Sequence, residues 1–455
     1  MNRTLSEFAA AMQGSLEGAD RSFAAVSIDS RSCAAGDLFI ALKGDRFDGH
    51  DYVTAAIEKG AVAVVVERLC AVEVPQILVK DTLIALQAAG AAWRRNFSIP
   101  VVGVAGSNGK TTTKGMIAAV LASLGPCHAT KGTLNNHIGV PLTLLALEAH
   151  HATAVIEIGA NHPGEVSALV AIAAPTIGVV TNAGEEHLEG FGSLEGAARA
   201  EGELFAGLDR AATAVINGDD HFAALWRQMN SAEAVVEFGV QSGAAVTIRG
   251  EIDTSGDAGE LQSFELVCPT GSARVSLGLV GRHNVQNALA AAAVASRLGC
   301  TAAQIAVGLS QVRPVRGRLE VKRAANGACV IDDTYNANPA SLDVALDALA
   351  SVSGRRWLVL GNMAELGDAS VDAHHKAGAA ARKIGVEKLF TVGDLAADAA
   401  TAFGAGAESF ETVEMLSAHL AQHCNGAITL LVKGSRVNRL ERLVDALVTQ
   451  PSLEV

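Results

Sequence analysis

A chain of 455 residues is too long for one ordinary domain, and 49% hydrophobic residues can fill more than one core. A net charge of −13 with no basic stretch argues against a nucleic-acid partner. The seven cysteines are scattered, odd in number and without a C-x-x-C pair, so neither a disulfide framework nor a zinc site is indicated.

The first 98 residues mix short apolar runs with turns. The N-terminus, "MNRTLSEFAAAMQG", carries Glu7 and lacks the apolar core of a signal peptide. No run of about 18 apolar residues follows, so no membrane insertion is expected. A cytoplasmic monomer is the expectation. "AVAVVVE" (61–67) and "QILVK" (76–80) have the length and branching of buried strands, and "LIALQAAGAAWRRNF" (83–97) that of a closing helix. A new unit begins at "IPVVGVA" (99–105), a β-branched strand, and continues into a helix starting at Lys110 and ending by Gly125. Strands at 152–159, 176–182 and 212–218 alternate with helical stretches, which predicts a parallel sheet. "RPVRGRLE" (313–320) marks a boundary, after which the alternation repeats at 328–335, 355–363, 387–393 and 427–434. The predicted fold is therefore α/β in three domains, 1–98, 99–313 and 314–455. The second is of the P-loop ATPase type and the third a doubly wound, Rossmann-like sheet.

The chemistry concentrates in "VAGSNGKTTTK" (104–114). The common phosphate loop has its first glycine five residues before the glycine of Gly-Lys-Thr, and that position is Val104 here. The altered spacing keeps the physics. Gly106 and Gly109 let the backbone N–H groups of Gly106, Ser107, Asn108 and Gly109 turn toward phosphate oxygens, and the helix N-terminus at Lys110, Thr111 and Thr112 adds partial positive charge. Lys110 can reach the β- and γ-phosphates of ATP, and the Thr111 hydroxyl can hold Mg²⁺. Glu157 closes a hydrophobic strand, where an acid faces the ligand crevice of a parallel sheet and can supply a metal oxygen. His187 follows another strand; a lone histidine there is more often structural than a ligand.

Nine stretches in order, among them "IDSRSCAAGDLFIALKGDRFDGHDY" (28–52), "KGTLNNHIGVPLTLL" (131–145), "IEIGANHPGEV" (156–166), "GRHNVQNALAAAAVA" (281–295), "DDTYNANPASL" (332–342) and "VKGSRVNRLE" (432–441), resemble the Mur ligase family over nearly the whole chain. Within it the pattern is similar to the branch that joins D-Ala-D-Ala to UDP-N-acetylmuramoyl-tripeptide. The resemblance implies an ATP-dependent ligase of peptidoglycan synthesis working through an acyl phosphate and a tetrahedral intermediate, with ATP and Mg²⁺ as cofactors. His187 then becomes an expected metal-site residue. The family's carbamylated lysine before "Gly-Glu-Leu-Phe" is replaced by Glu201. Its carboxylate is expected either to take over a metal oxygen's role or to be an ordinary helix residue.

The resemblance also implies the remaining pockets. Asn284 and Asn287, three apart on one helix, correspond to adenine contacts, with His283 beside them left open. Arg318 and Asp333 correspond to phosphate and ribose contacts from the third domain. Ser30, Arg31, Lys43 and Gly44, extended by Asn135 and Asn136, correspond to the UDP-sugar site. Tyr335, Asn336, Asn338 and Ser341 correspond to the dipeptide site, with "KGSR" (433–436) contributing charge. His374 and His375 read as surface residues of an amphipathic helix. The alternatives are a relative that adds a single amino acid, which would be expected to carry an "Asp-Asn-Pro-Arg"-like signature where this chain has "NANPAS", and a non-catalytic ATP-binding regulator.

Overall fold

The computed structural model describes residues 3–44, 47–185, 188–241, 243–255, 261–352 and 354–448. Three mainly parallel sheets follow one another along the chain. The first has the order Ser15–Glu17, Gln76–Leu78, Ala63–Val66, Leu38–Ile40 and Val26–Ser27, antiparallel only at its first pair. The helix Thr82–Arg94 closes this unit and also packs on the next. Trp93 Nε1 donates to the Leu147 carbonyl at 3.0 Å, and Arg94 donates to the carbonyls of Ala173 and Ala174, each at 3.1 Å. Consequently the first two units share one continuous core, from Leu5 and Phe8 through Trp93 to Val101 and Ile156.

The second sheet is six-stranded and wholly parallel. Strand Val101–Ala105 lies in its interior with Thr153–Glu157 on one side and Ile177–Val180 on the other. The chain thus runs in opposite directions away from Val101–Ala105, and the loops leaving these three strands part to form a crevice. Every residue of Val101–Ala105 and Thr153–Glu157 is buried, which is why both read as unbroken apolar runs.

A separate antiparallel sheet, Thr247–Ser255, Leu261–Cys268 and Gly271–Leu277, interrupts the parallel alternation read for 99–313. One face of its middle strand is buried against the helices His283–Arg297 and Ala302–Ser310, with Phe264, Leu266, Val285 and Ile305 in one cluster.

After Ser310 the chain crosses to the third sheet, ordered Glu320–Arg323, Cys329–Asp333, Ile428–Lys433, Arg355–Gly361, Lys388–Val392 and Ala407–Phe410. All pairs are parallel except the first. Its helices build separate cores on its two faces. His374 corrects the surface expectation. It is fully buried, accepts from the Met363 N–H at 2.8 Å and donates through Nδ1 to the Ser370 carbonyl at 2.7 Å. His375 is exposed, as expected. Among the described residues no helix is long and apolar enough to cross a membrane.

Candidate active site

The phosphate loop bridges strand Val101–Ala105 and helix Lys110–Leu121. Gly106 (φ +119°) and Gly109 (φ +84°) take left-handed conformations that side chains rarely adopt. A Cβ on Gly106 would strike the Thr181 hydroxyl, and one on Gly109 would lie 2.6 Å from the Asn287 amide oxygen. The neighbouring strand end braces the loop. Asn108 N donates to Asn182 Oδ1 at 3.0 Å, Thr181 Oγ1 donates to the Asn108 carbonyl at 2.6 Å, and Gly184 N donates to Ser107 Oγ at 2.8 Å. Lys110 Nζ folds back on this loop, 2.5 Å from the Gly106 carbonyl and 3.2 Å from that of Ser107. Thr112 lies beside it on the cleft wall.

Glu157 is 1% exposed at its side chain and gathers three polar partners, two from helix Lys110–Leu121 and one from the 131–138 loop. Oε1 accepts from the Thr111 hydroxyl at 3.1 Å and from Asn135 Nδ2 at 2.9 Å, while Oε2 faces the Lys114 ammonium at 2.8 Å. A hydroxyl and a carboxylate oxygen side by side suit a hard cation such as Mg²⁺, which takes few protein ligands and completes its shell with phosphate and water. Among the described residues no group of three His, Cys, Asp or Glu side chains gathers for a metal. His187 lies outside the described residues.

Glu201 is fully buried on helix Leu194–Ala206, does not line the cleft, and its Oε2 accepts from the Gly106 N–H at 2.7 Å. Its carboxylate braces the first glycine of the phosphate loop.

A cleft of about 600 Å³ opens over the loop, and its far wall comes from the third domain. Asn284 and Asn287 line it, both buried and linked by a 3.0 Å amide–amide hydrogen bond. His283 joins them; the protein enclosing its ring pushes its pKa down to about 4, with Lys433 acting in the same direction and Asp333 against it. On the opposite wall Asp333 and Lys433 end adjacent parallel strands in register, 2.5 Å apart. Lys433 also donates to the Asn336 carbonyl at 2.9 Å. The Arg318 guanidinium lies over the Tyr335 ring, 4.1 Å from its centroid.

Among the described residues two hydrogen bonds cross the cleft: Tyr335 OH donates to Thr133 Oγ1 at 2.9 Å, and Asn338 Nδ2 to Asn108 Oδ1 at 3.4 Å. Asn338 and Ser341 form the capping box of helix Pro339–Ala350, with Ser341 N donating to Asn338 Oδ1 at 2.7 Å. Asn135 and Asn136 line the cleft from the opposite loop, and Asn136 Oδ1 also accepts from Gly139 N at 2.9 Å, near the start of helix Gly139–Leu145. Ser30, Arg31, Lys43 and Gly44 do not line it. Arg31 is 88% exposed at its side chain and paired with Asp29 at 2.7 Å, and Lys43 is exposed. Lys114 is a site residue that sequence reasoning left without a role, whereas Lys433 is the first residue of the "KGSR" stretch expected to contribute charge. The only signal for Lys114 was its place one turn after Lys110.

A phosphate loop facing an acid across a parallel-sheet crevice, roofed by a doubly wound domain, is the build of an ATP-dependent ligase. The chain belongs to the Mur ligase family, whose enzymes form carbon–nitrogen bonds with ATP. Residues 22–102 match "Mur ligase family, catalytic domain", 104–295 "Mur ligase middle domain" and 317–436 "Mur ligase, glutamate ligase domain". It is 40% identical to the UDP-N-acetylmuramoyl-tripeptide–D-alanyl-D-alanine ligase of Escherichia coli (strain K12), over 98% of each chain. A crystal structure of MurF from Acinetobacter baumannii superposes with a TM-score of 0.91 at 34% identity, covering 99% of both chains. The MurF ligase of Thermotoga maritima in complex with ADP gives 0.83 at 27% identity, covering 93% of this chain and 96% of that one.

Proposed function

We propose that this protein adds D-Ala-D-Ala to UDP-N-acetylmuramoyl-tripeptide in peptidoglycan precursor synthesis, converting ATP to ADP and phosphate. The observation that carries this reading is the single cleft shared by the phosphate loop, the 133–136 loop and the 333–341 segment, in a chain resembling such ligases along its whole length.

In this reading ATP lies along the phosphate loop, with adenine at Asn284 and Asn287, ribose at Asp333 and phosphate at Arg318. Lys110 leaves the loop carbonyls to meet the β- and γ-phosphates. Thr111 and Glu157, with His187, would hold Mg²⁺, which screens the negative charge gathered between phosphate and carboxylate. The UDP-sugar is assigned to residues 1–98, at Ser30, Arg31, Lys43 and Gly44, and extends to Asn135 and Asn136. The third domain, 314–455, takes the dipeptide at Tyr335, Asn336, Asn338 and Ser341. The central domain, 99–313, holds the reacting phosphate between them.

The terminal carboxylate of the tripeptide attacks the γ-phosphorus and ADP leaves. The free amine of D-Ala-D-Ala attacks the resulting acyl phosphate. The tetrahedral intermediate expels phosphate, the ammonium proton is lost, and an amide remains. The two cleft-spanning contacts support a closed arrangement that excludes water from the acyl phosphate.

The test supplies ATP, Mg²⁺, UDP-N-acetylmuramoyl-tripeptide and D-Ala-D-Ala and omits each in turn. A pentapeptide product of matching mass, formed only when all are present, is expected. Product with single amino acids but not with the dipeptide would refute the substrate assignment, and phosphate release independent of any acceptor would favour the regulator.

A further inference from the structure

Lys114 is a buried cation without a role in the reaction just described. It lies one turn into helix Lys110–Leu121, and its side chain is 7% exposed. Its ammonium sits 2.8 Å from Glu157 Oε2 and donates to the Gly132 carbonyl at 2.7 Å. It therefore joins the phosphate-loop helix, the acid ending strand Thr153–Glu157 and the 131–138 loop.

That loop is held by a set of hydrogen bonds, among them Gln87 Nε2 donating to the His137 carbonyl at 3.1 Å and Gly139 N donating to Asn136 Oδ1 at 2.9 Å. Lys131, Gly132, Thr133, Leu134, Asn136 and His137 are all exposed. Gly132 has φ +55°, and no atom lies within 4 Å of where its Cβ would be. Packing does not hold the turn there; hydrogen bonds do. Asn135 reaches Glu157 Oε1, Gly159 N donates to the Asn135 carbonyl at 2.9 Å, and Thr133 accepts from Tyr335. Lys114 contributes the bond at the start of the loop, and it is the cation that compensates the buried Glu157 carboxylate.

We propose that Lys114 is a positioning residue for the UDP-muramoyl substrate. It ties the 131–138 loop to Glu157 and so presents Asn135 and Asn136 in a fixed arrangement, without touching the substrate itself. A compact ammonium suits the task because it offers several donors at one point and can serve a carboxylate and a carbonyl together. The inference rests on the assignment of Asn135 and Asn136 to the UDP-sugar site.

The test is calorimetric titration of UDP-N-acetylmuramoyl-tripeptide, and separately of ADP, into wild type, K114Q, K114M and V120A, without metal. Val120 is fully buried on the same helix, so V120A reports general loosening. K114Q and K114M are expected to weaken binding of the UDP substrate about tenfold or more. Their ADP affinity should stay within about threefold of wild type, since phosphate binding does not use Lys114. K114M fills the space without a donor and is the second variant should K114Q not fold. V120A should lower Tm and leave both affinities near wild type. Unchanged substrate affinity in a folded Lys114 variant overturns the inference, as does an equal loss in V120A. Failure of wild type to bind the UDP substrate overturns the functional reading and this inference with it.

Discussion

Replacing Glu201 separates two roles for its side chain, bracing the phosphate loop and holding a metal ion. Its Oε2 accepts the Gly106 N–H at 2.7 Å, and the residue is fully buried. A hydrogen bond to a charged acceptor contributes about 1.5–3 kcal/mol, and a buried donor left without its acceptor costs about 1–3 kcal/mol. Glu201→Ala should therefore lower Tm and leave Gly106, already at φ +119°, without its brace. Because the loop must then be ordered by the nucleotide, ADP affinity should fall by about tenfold, or about 1.4 kcal/mol. Glu201→Gln keeps an acceptor oxygen in place and should cost only about 1 kcal/mol. The assays are calorimetry with ADP in the absence of metal, and activity as Mg²⁺ is varied. Glu201→Gln is expected to need the same Mg²⁺ as wild type, and wild type to work equally well with and without bicarbonate. An Mg²⁺ requirement raised more than about tenfold in Glu201→Gln, with metal-free ADP binding intact, would refute the brace and make Glu201 a metal ligand.

Lys110→Met should lower kcat by roughly 10²–10³, as for loss of one donor to developing charge; stopped-flow phosphate release reads this. Asn338→Ala removes a helix cap worth about 1 kcal/mol and the contact to Asn108. Steady-state kinetics should show KM for D-Ala-D-Ala raised about tenfold, with KM for the UDP substrate unchanged. His283 has a pKa near 4 in the folded protein because burial disfavours its charged form, against an ordinary value of 6.5. The unfolded chain binds the extra proton first, so this stability is complete above about pH 6.5 and is lost as pH falls toward 4. Thermal melts across that window should show a shallower acid decline for His283→Gln, and an unchanged slope would contradict the assignment.

The central parallel strands were legible because they are buried on both faces, as at "VVGVA" and "TAVIE", each of which is followed by a helix. The antiparallel sheet at 247–277 was not singled out. Its middle strand alternates buried residues with more accessible ones and its first strand buries none fully, a weaker signal than an apolar run. The phosphate loop could be placed from Gly106, Gly109 and Lys110 because their chemistry is local. Glu157 could be placed from its position at a strand end. What a side chain does across 40 or 90 residues of sequence could not be read. Glu201 and Lys114 meet Gly106 and Glu157 only in the fold, at separations of 95 and 43 residues (201 − 106 and 157 − 114). His374 was misread for the same reason. It lies on an amphipathic helix, and only the Met363 N–H folded over it shows that it faces inward.

The central claim is that the cleft activates a carboxylate by phosphorylation. The most direct measurement labels the terminal carboxylate of UDP-N-acetylmuramoyl-tripeptide with ¹⁸O and follows one turnover with ATP and D-Ala-D-Ala. If the carboxylate oxygen attacks the γ-phosphorus and later leaves with it, each phosphate released with an amide carries one labelled oxygen. Amide product accompanied by unlabelled phosphate would contradict the account.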